Sequence, residues 1–101
     1  MSKQKGYIYA ELVVNDSAYF FNEYMPRVRP VLEQYDAKFL IGQDDPQVIE
    51  GGRDVKRVVF IEFDSPERAR EFYYSKDYQD VIQYRFDSAS AHLYLLDGIE
   101  T

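Results

Sequence analysis

Arg57-Val58-Val59-Phe60-Ile61-Glu62-Phe63 runs directly into Asp64-Ser65-Pro66-Glu67, and this junction decides the fold. The first seven residues read as a strand with both faces largely apolar, the pattern of a central position in a sheet. Ser65 caps a helix, Pro66 takes its first position, and Glu67 complements the positive helix end. That helix runs to about Tyr74. Ser75 reads as a fresh cap, with Asp77 in the first turn, for a third helix from about residue 76 to Ser90. His92 to Asp97 reads as the last strand, ended by Gly98.

Upstream, residues 7 to 14 alternate as a first strand. Ile8, Ala10, Leu12 and Val14 make one apolar face; Tyr7, Tyr9, Glu11 and Val13 make the other. Asn15-Asp16-Ser17 supplies a helix cap, and the first helix spans about residues 17 to 35. Phe21, Tyr24, Val28, Val31 and Tyr35 recur at helical steps as its core-facing stripe. Pro26 and Pro30 predict a kink or break near Met25 to Arg29. Lys38 to Ile41 is a short second strand and Gly42 to Pro46 a turn. Gln47 to Glu50 is a candidate extra strand, followed by a turn at Gly51-Gly52.

The order is β-α-β-β-α-β, which predicts an α+β, ferredoxin-like sandwich with helices on one sheet face. Strands one and three are expected to be parallel neighbours through a right-handed crossover. The other sheet face carries Tyr7, Tyr9 and Val13, joined on strand four by either Tyr94 and Leu96 or Leu93 and Leu95. No helix remains to cover it. A second copy of the chain is the simplest cover, so the expected assembly is a homodimer whose two sheets form a dimeric α/β barrel.

The 101 residues suit one domain, expected over 6–98 with short tails at 1–5 and 99–101. Ten Tyr and seven Phe make up 17% of the chain, which points to a semi-polar interior surface or an interface. A net charge of −6 disfavours nucleic acid and anionic membrane as partners. With no cysteine and one histidine, thiolate and multi-histidine metal sites are excluded, and no metal or cofactor is expected. No segment approaches the roughly twenty apolar residues of a membrane span. Met1 to Lys5 is short and polar, unlike a signal peptide, so a cytoplasmic location is expected.

Glu62, mid-strand between Ile61 and Phe63, is costly to bury unless paired. It reads either as an acid, base or anchoring carboxylate in a cleft, or as the satisfied partner of an arginine or tyrosine. Arg85 is the candidate partner, because Tyr78, Ile82, Arg85 and Ala89 share one helix stripe. Arg85 alternatively faces an anionic ligand, or snorkels from the stripe edge. Glu62 and Arg85 are the candidate catalytic pair; Tyr24, Arg57, Tyr73, Ser75 and Tyr78 are the candidate ligand-binding residues. His92 is a candidate acid–base group, but a lone histidine at a strand edge reads as surface. Asp44, Asp45 and Glu50 lack the ligand spacing of a cation loop. Lys56 to Phe63 roughly fits an RNA-recognition pattern, with Phe60 and Phe63 at its later aromatics. The acidic balance and Val58 at its first stacking position oppose that reading.

The chain resembles the DUF1330 proteins of the dimeric α/β-barrel superfamily over about Gly6 to Gly98. The likeness rests on Gly6-Tyr7, on Tyr24 with Pro30 and Tyr35, on Lys38-Phe39-Leu40, and on Pro46-Gln47-Val48-Ile49-Glu50-Gly51. Arg57 to Phe63, Ala69, Tyr73-Tyr74-Ser75, Asp77-Tyr78-Gln79, Arg85 and Leu95-Leu96-Asp97-Gly98 complete it. The resemblance implies a ferredoxin-like protomer, a dimer and no agreed activity. Relatives in the wider superfamily include cofactor-free monooxygenases, isomerases and haem enzymes. The chain departs from the family pattern at Asp36-Ala37, where glycine is usual, and at Gly42-Gln43-Asp44, where a basic residue and glycines are. Phe72 stands where tryptophan is common.

The expected function is a small-molecule binder or cofactor-independent enzyme with a cleft between helices and sheet. The alternative is a non-catalytic dimeric interaction or regulatory module. A polar-lined cavity of a few hundred cubic ångströms favours the first, and a filled interior the second.

Overall fold

The computed structural model describes residues 4–100. The elements are strand β1 (Gly6–Val14), helix α1 (Ser17–Tyr19), a π-helical turn (Phe20–Tyr24), helix α2 (Met25–Gln34), strand β2 (Lys38–Asp44), strand β3 (Arg57–Phe63), helices α3 (Pro66–Tyr74), α4 (Lys76–Gln79) and α5 (Ile82–Ser88), and strand β4 (Ala89–Asp97). The sheet order is β2-β3-β1-β4. This is the ferredoxin-like α+β sandwich expected.

All neighbouring strands are antiparallel, including β1 and β3, which pair from Gly6 with Phe63 to Leu12 with Arg57. The expected parallel β1–β3 pair is therefore wrong. The helical crossover leads from β1 to the edge strand β2, and the β2–β3 connection reverses the chain before it returns beside β1.

Along β1 the alternation works as read. Ile8, Ala10 and Leu12 are buried under the helices, and Tyr7, Tyr9 and Glu11 face the other way, half-buried. Ser65 Oγ accepts from Arg68 N at 3.1 Å, with Pro66 in the first turn of α3. Asp16 Oδ1 caps α1 through Tyr19 N at 3.1 Å. Asn15 N and Asp16 N both donate to the Ser88 carbonyl, at 2.8 and 3.1 Å, so the end of β1 is tied to the end of α5.

The first helical run does not break at its prolines. It continues over 17–34, and the disturbance is a π turn just before Pro26, in which Met25 N donates to the Phe20 carbonyl. A proline has no N–H for the helical ladder, and one wide turn relieves the conflict without ending the helix. The wide turn also shifts the phase. Phe20, not the expected Phe21, joins Tyr24, Val28 and Val31 in the core, while Phe21 is 44% exposed. The run ends at Asp36, whose φ of 56° is left-handed. Aspartate supports the exit where glycine is usual.

The remaining differences lie at element edges. The third helix divides into α4 and α5 at Asp80-Val81, and 89–91 belong to β4. The alanines of Ser88-Ala89-Ser90-Ala91 lean to helix; pairing of Val14 with Ala89 and Val13 with Ser90 overrides that preference. β2 extends to Asp44, with an irregularity at Leu40. Gln47–Glu50 forms no strand, since Pro46 and the Gly51-Gly52 turn isolate it from a partner. Within the expected tails, Gln4 Nε2 and Gly98 N tie residues 4–5 to Gly98, at 2.8 and 2.7 Å; residues 1–3 and 101 lie outside the described residues. Among the described residues no helix is long and apolar enough to cross a membrane.

Candidate functional site

The core beneath the helices holds a cavity of about 60 Å³. Ile8, Ala10 and Leu12 of β1, Val59 and Ile61 of β3 and Leu93 of β4 form its floor. Phe20, Tyr24, Val28 and Leu32 form part of its roof. The period-two pattern of the strands and the four-residue step of the helix bring these apolar faces together. Most of the wall is hydrocarbon; the polar exceptions are Tyr24, Tyr78, Arg57 and Arg85. The cavity is smaller and less polar than the few hundred cubic ångströms expected of an open cleft.

Three of the polar residues form one cluster. The Tyr24 and Tyr78 hydroxyls are 2.9 Å apart, and Arg85 Nε donates to the Tyr78 hydroxyl at 3.2 Å. All three are buried. Burial, then the adjacent Tyr78 hydroxyl, push the Tyr24 phenol well above its ordinary pKa, while Arg85 pulls the other way. Tyr24 is therefore held as a neutral phenol. For Arg85, burial opposes the charge, but Tyr78, Tyr24 and Tyr73 outweigh it and the pKa rises. Arg85 also lies 5.1 Å from the ring centroid of Phe86. Phe72 lies against Tyr78 with ring centroids 4.6 Å apart, fixing that side chain from behind.

Arg57 enters from the start of β3. Its Nη1 donates to Asp44 at 2.9 Å on the neighbouring edge strand, and its Nε is buried with no hydrogen-bond partner. Gly42 leaves the room this guanidinium occupies: a Cβ there would stand 3.2 Å from Arg57 Nη2.

Glu62 is not in this cavity. Strand parity turns Arg57, Val59 and Ile61 toward the helices and Glu62 to the opposite face, where it accepts from the Tyr7 hydroxyl at 3.3 Å. The expected Glu62–Arg85 pair does not form, because the sheet separates them. Glu62 is instead a carboxylate satisfied by a tyrosine, with Lys38 opposite in register. Burial, then the Glu62 charge, raise the Tyr7 pKa.

Tyr73 packs on Tyr78, with centroids 5.5 Å apart, behind the cavity wall. Ser75 does not line the cavity. Its Oγ accepts from Tyr78 N at 3.1 Å and donates to the Phe72 carbonyl at 2.7 Å, so it joins α3 to α4 as a cap. His92 is exposed on β4, opposite Glu11. Asp44 holds Arg57, and among the described residues no cluster of three metal-ligating side chains forms. Phe60 and Phe63 fall on opposite sheet faces, Phe63 being fully buried, so the RNA-recognition pattern is split. Phe20, Met25 and Leu93 were missing from the sequence-derived site. Met25 and Phe20 enter through the π turn; Pro26 signalled a disturbance nearby but not the change of phase.

The uncovered sheet face presents Tyr7 stacked on Phe60 at 4.9 Å and Tyr9 stacked on Tyr94 at 6.1 Å. Of the two sets open on β4, Tyr94 and Leu96 face outward, 46% and 42% exposed.

The family described as a domain of unknown function, DUF1330, matches residues 5–99. No curated protein matches the chain. A protein of unknown function from Rhodopseudomonas palustris superposes with a TM-score of 0.75 at 15% identity, covering 98% of this chain and 85% of that one. A cofactor-independent oxygenase from Streptomyces nogalater gives 0.64 at 10% identity, covering 98% and 96%. A dimeric protein of unknown function with a ferredoxin-like fold from Bacteroides fragilis gives 0.52 at 9% identity, covering 93% and 92%. At these identities the likeness is one of fold.

Proposed function

The chain belongs to the DUF1330 family, and from that premise we propose that it is a homodimeric small-molecule-binding protein whose ligand occupies the cavity between helices and sheet. The observation that carries this reading is the Tyr24–Tyr78–Arg85 cluster in an otherwise apolar wall. Polar groups in a core cost stability unless they are satisfied. Apolar walls with a few convergent polar groups are what a small-molecule site requires. Arg57, Arg85, Tyr24 and Tyr78 are the binding residues, with Tyr73 and Ser75 supporting them from behind. Fold kinship with a cofactor-independent oxygenase makes metal-free catalysis the enzymatic version of this reading. In it, Tyr24 and Tyr78 move protons, Arg85 supplies a fixed charge, and Glu62 takes no part.

The test is a thermal-shift screen of the native protein against a metabolite library, repeated on Ala10→Val, which fills part of the cavity. A compound that raises the native Tm and loses its effect in the variant supports the reading. A compound that stabilises both equally binds elsewhere and overturns it.

The small cavity favours a second reading, a non-catalytic dimeric module acting through its surface. That reading expects no library compound to stabilise the protein.

Support for the dimer comes from the aromatic outer face and the edge strand, where Phe39, Leu40 and Ile41 are 46%, 49% and 42% exposed. So large an apolar surface calls for a cover, and a dimeric relative in fold supplies a precedent. Sedimentation velocity should report about twice the 12.0 kDa chain mass. Leu96→Asp, which places a charge on that face, should return it toward one chain. A folded native protein sedimenting as a single chain overturns the dimer.

A further inference from the structure

Inside a chain with 18 acidic and 12 basic side chains, the cavity has the opposite polarity. Arg57 and Arg85 line it, and no carboxylate does. Among the described residues Arg85 makes no ion pair, although it is only 6% exposed. Its side-chain hydrogen bond runs from Nε to Tyr78, a neutral hydroxyl. Arg57 is neutralised on its outer side by Asp44, but its buried Nε has no partner. Buried guanidinium groups are ordinarily paired with carboxylate or phosphate, because removing an unpaired charge from water is unfavourable. A buried N–H with no protein partner calls for an acceptor, which a water or a ligand atom can supply.

The cavity's size limits that partner. A water-sized occupant needs roughly 10–15 Å³ of such space, so about 60 Å³ admits roughly four to six non-hydrogen atoms. The rest of the lining, including Ile8, Leu12, Val28, Val59 and Leu93, is apolar, which matches a hydrocarbon body and not a second charged group. Resting on the small-molecule reading above, we propose that the cavity binds a short-chain organic carboxylate, its carboxyl group held by Arg85 and Arg57 and its hydrocarbon chain against the strand residues. With the Tyr78 hydroxyl donating to the Tyr24 oxygen, the Tyr24 hydroxyl becomes a further donor to the carboxylate.

The experiment uses the native protein with butyrate, its neutral isostere butyramide, and inorganic phosphate, followed by methyl resonances of Ile8, Leu12, Val28, Val59 and Leu93. Butyrate should shift these resonances and bind at least roughly tenfold tighter than butyramide, the ratio expected for hydrogen bonds to a charged group. Arg57→Gln, which keeps a hydrogen-bonding side chain and removes the charge, should lose a similar factor for butyrate and a smaller one for butyramide. Equal binding of butyrate and butyramide overturns the carboxylate assignment and leaves the cavity reading standing. Phosphate binding as tightly as butyrate overturns the hydrocarbon part. Failure of all three to move the cavity methyls overturns the inference, while the Ala10→Val comparison decides the broader reading separately.

Discussion

Tyr7 and Glu62 sit directly opposite each other on β1 and β3, and the Tyr7 hydroxyl donates to Glu62 Oε2 at 3.3 Å on the sheet face the helices leave open. This pairing removes Glu62 from the helix–sheet interior. Glu62→Gln keeps an acceptor for Tyr7 and removes the charge. It should leave ligand binding in the cavity unchanged and lower the Tyr7 pKa toward its ordinary value. Tyrosine ring NMR as a function of pH checks the second effect. Loss of cavity binding in this variant would contradict the placement of the site.

The Tyr24 phenol predicts an alkaline limit on stability. Its folded pKa lies well above the ordinary 10.0, chiefly through burial. The folded state thus holds this proton more tightly than the unfolded chain does. The stabilisation is complete below pH 10.0 and is lost as pH rises above it. Urea midpoints of the native protein should fall across that range, and those of Tyr24→Phe should fall less. A parallel decline in both would exclude Tyr24 as the cause.

Tyr78→Phe removes the hydroxyl shared by Tyr24 and Arg85. It leaves the buried Arg85 Nε without its acceptor, so the expected loss is about 1–3 kcal/mol. In the double variant with Tyr24→Phe the losses should fall short of additive by at least about 0.5 kcal/mol, because the two phenols share one bond. Chemical denaturation of the four-protein cycle measures it, and strict additivity would dissolve the cluster.

Gly6 opens β1 where the start of α3 crosses it. A Cβ at this position would overlap the Ser65 carbonyl oxygen and Pro66 Cα, both backbone atoms that cannot swing aside. Gly6→Ala should therefore destabilise the fold by about 1–3 kcal/mol through overpacking. A urea midpoint equal to that of the native protein would mean that the strand and helix separate more easily than their contact implies.

Ser75→Ala separates capping from ligand contact. Losing the cap should cost about 1 kcal/mol, with the affinity of any cavity ligand unchanged. A calorimetric Kd that weakens tenfold without a stability loss would return Ser75 to the binding residues.

The boundaries of β3 and α3 were readable from the chain because each rests on local chemistry. The apolar run 57–63 ends at Asp64, and Ser65, Pro66 and Glu67 satisfy a helix start one residue at a time. The inward set Ile8, Ala10 and Leu12, the bare outer face and the stripe carrying Arg85 likewise followed from periods of two and 3.6. Other features were not local. Whether 89–91 continue a helix or join β4 depends on β1 lying alongside. Phe20 displaced Phe21 because one wide turn before Pro26 changes the helix phase.

The amino-acid order by itself determined which residues are apolar, how often they recur and where helices begin, and these settle a four-stranded, helix-backed sandwich with one uncovered face. Only the tertiary structure decided who meets whom. Glu62 and Arg85 looked like partners because both are charges amid apolar residues, yet strand parity put the sheet between them. Tyr24, Tyr78 and Arg85 converge from the π turn, α4 and α5, and Arg57 is left with an unpaired buried N–H. Periodicity orients a side chain relative to its own element; which elements face each other across a core is set by packing, and that is where the site arises.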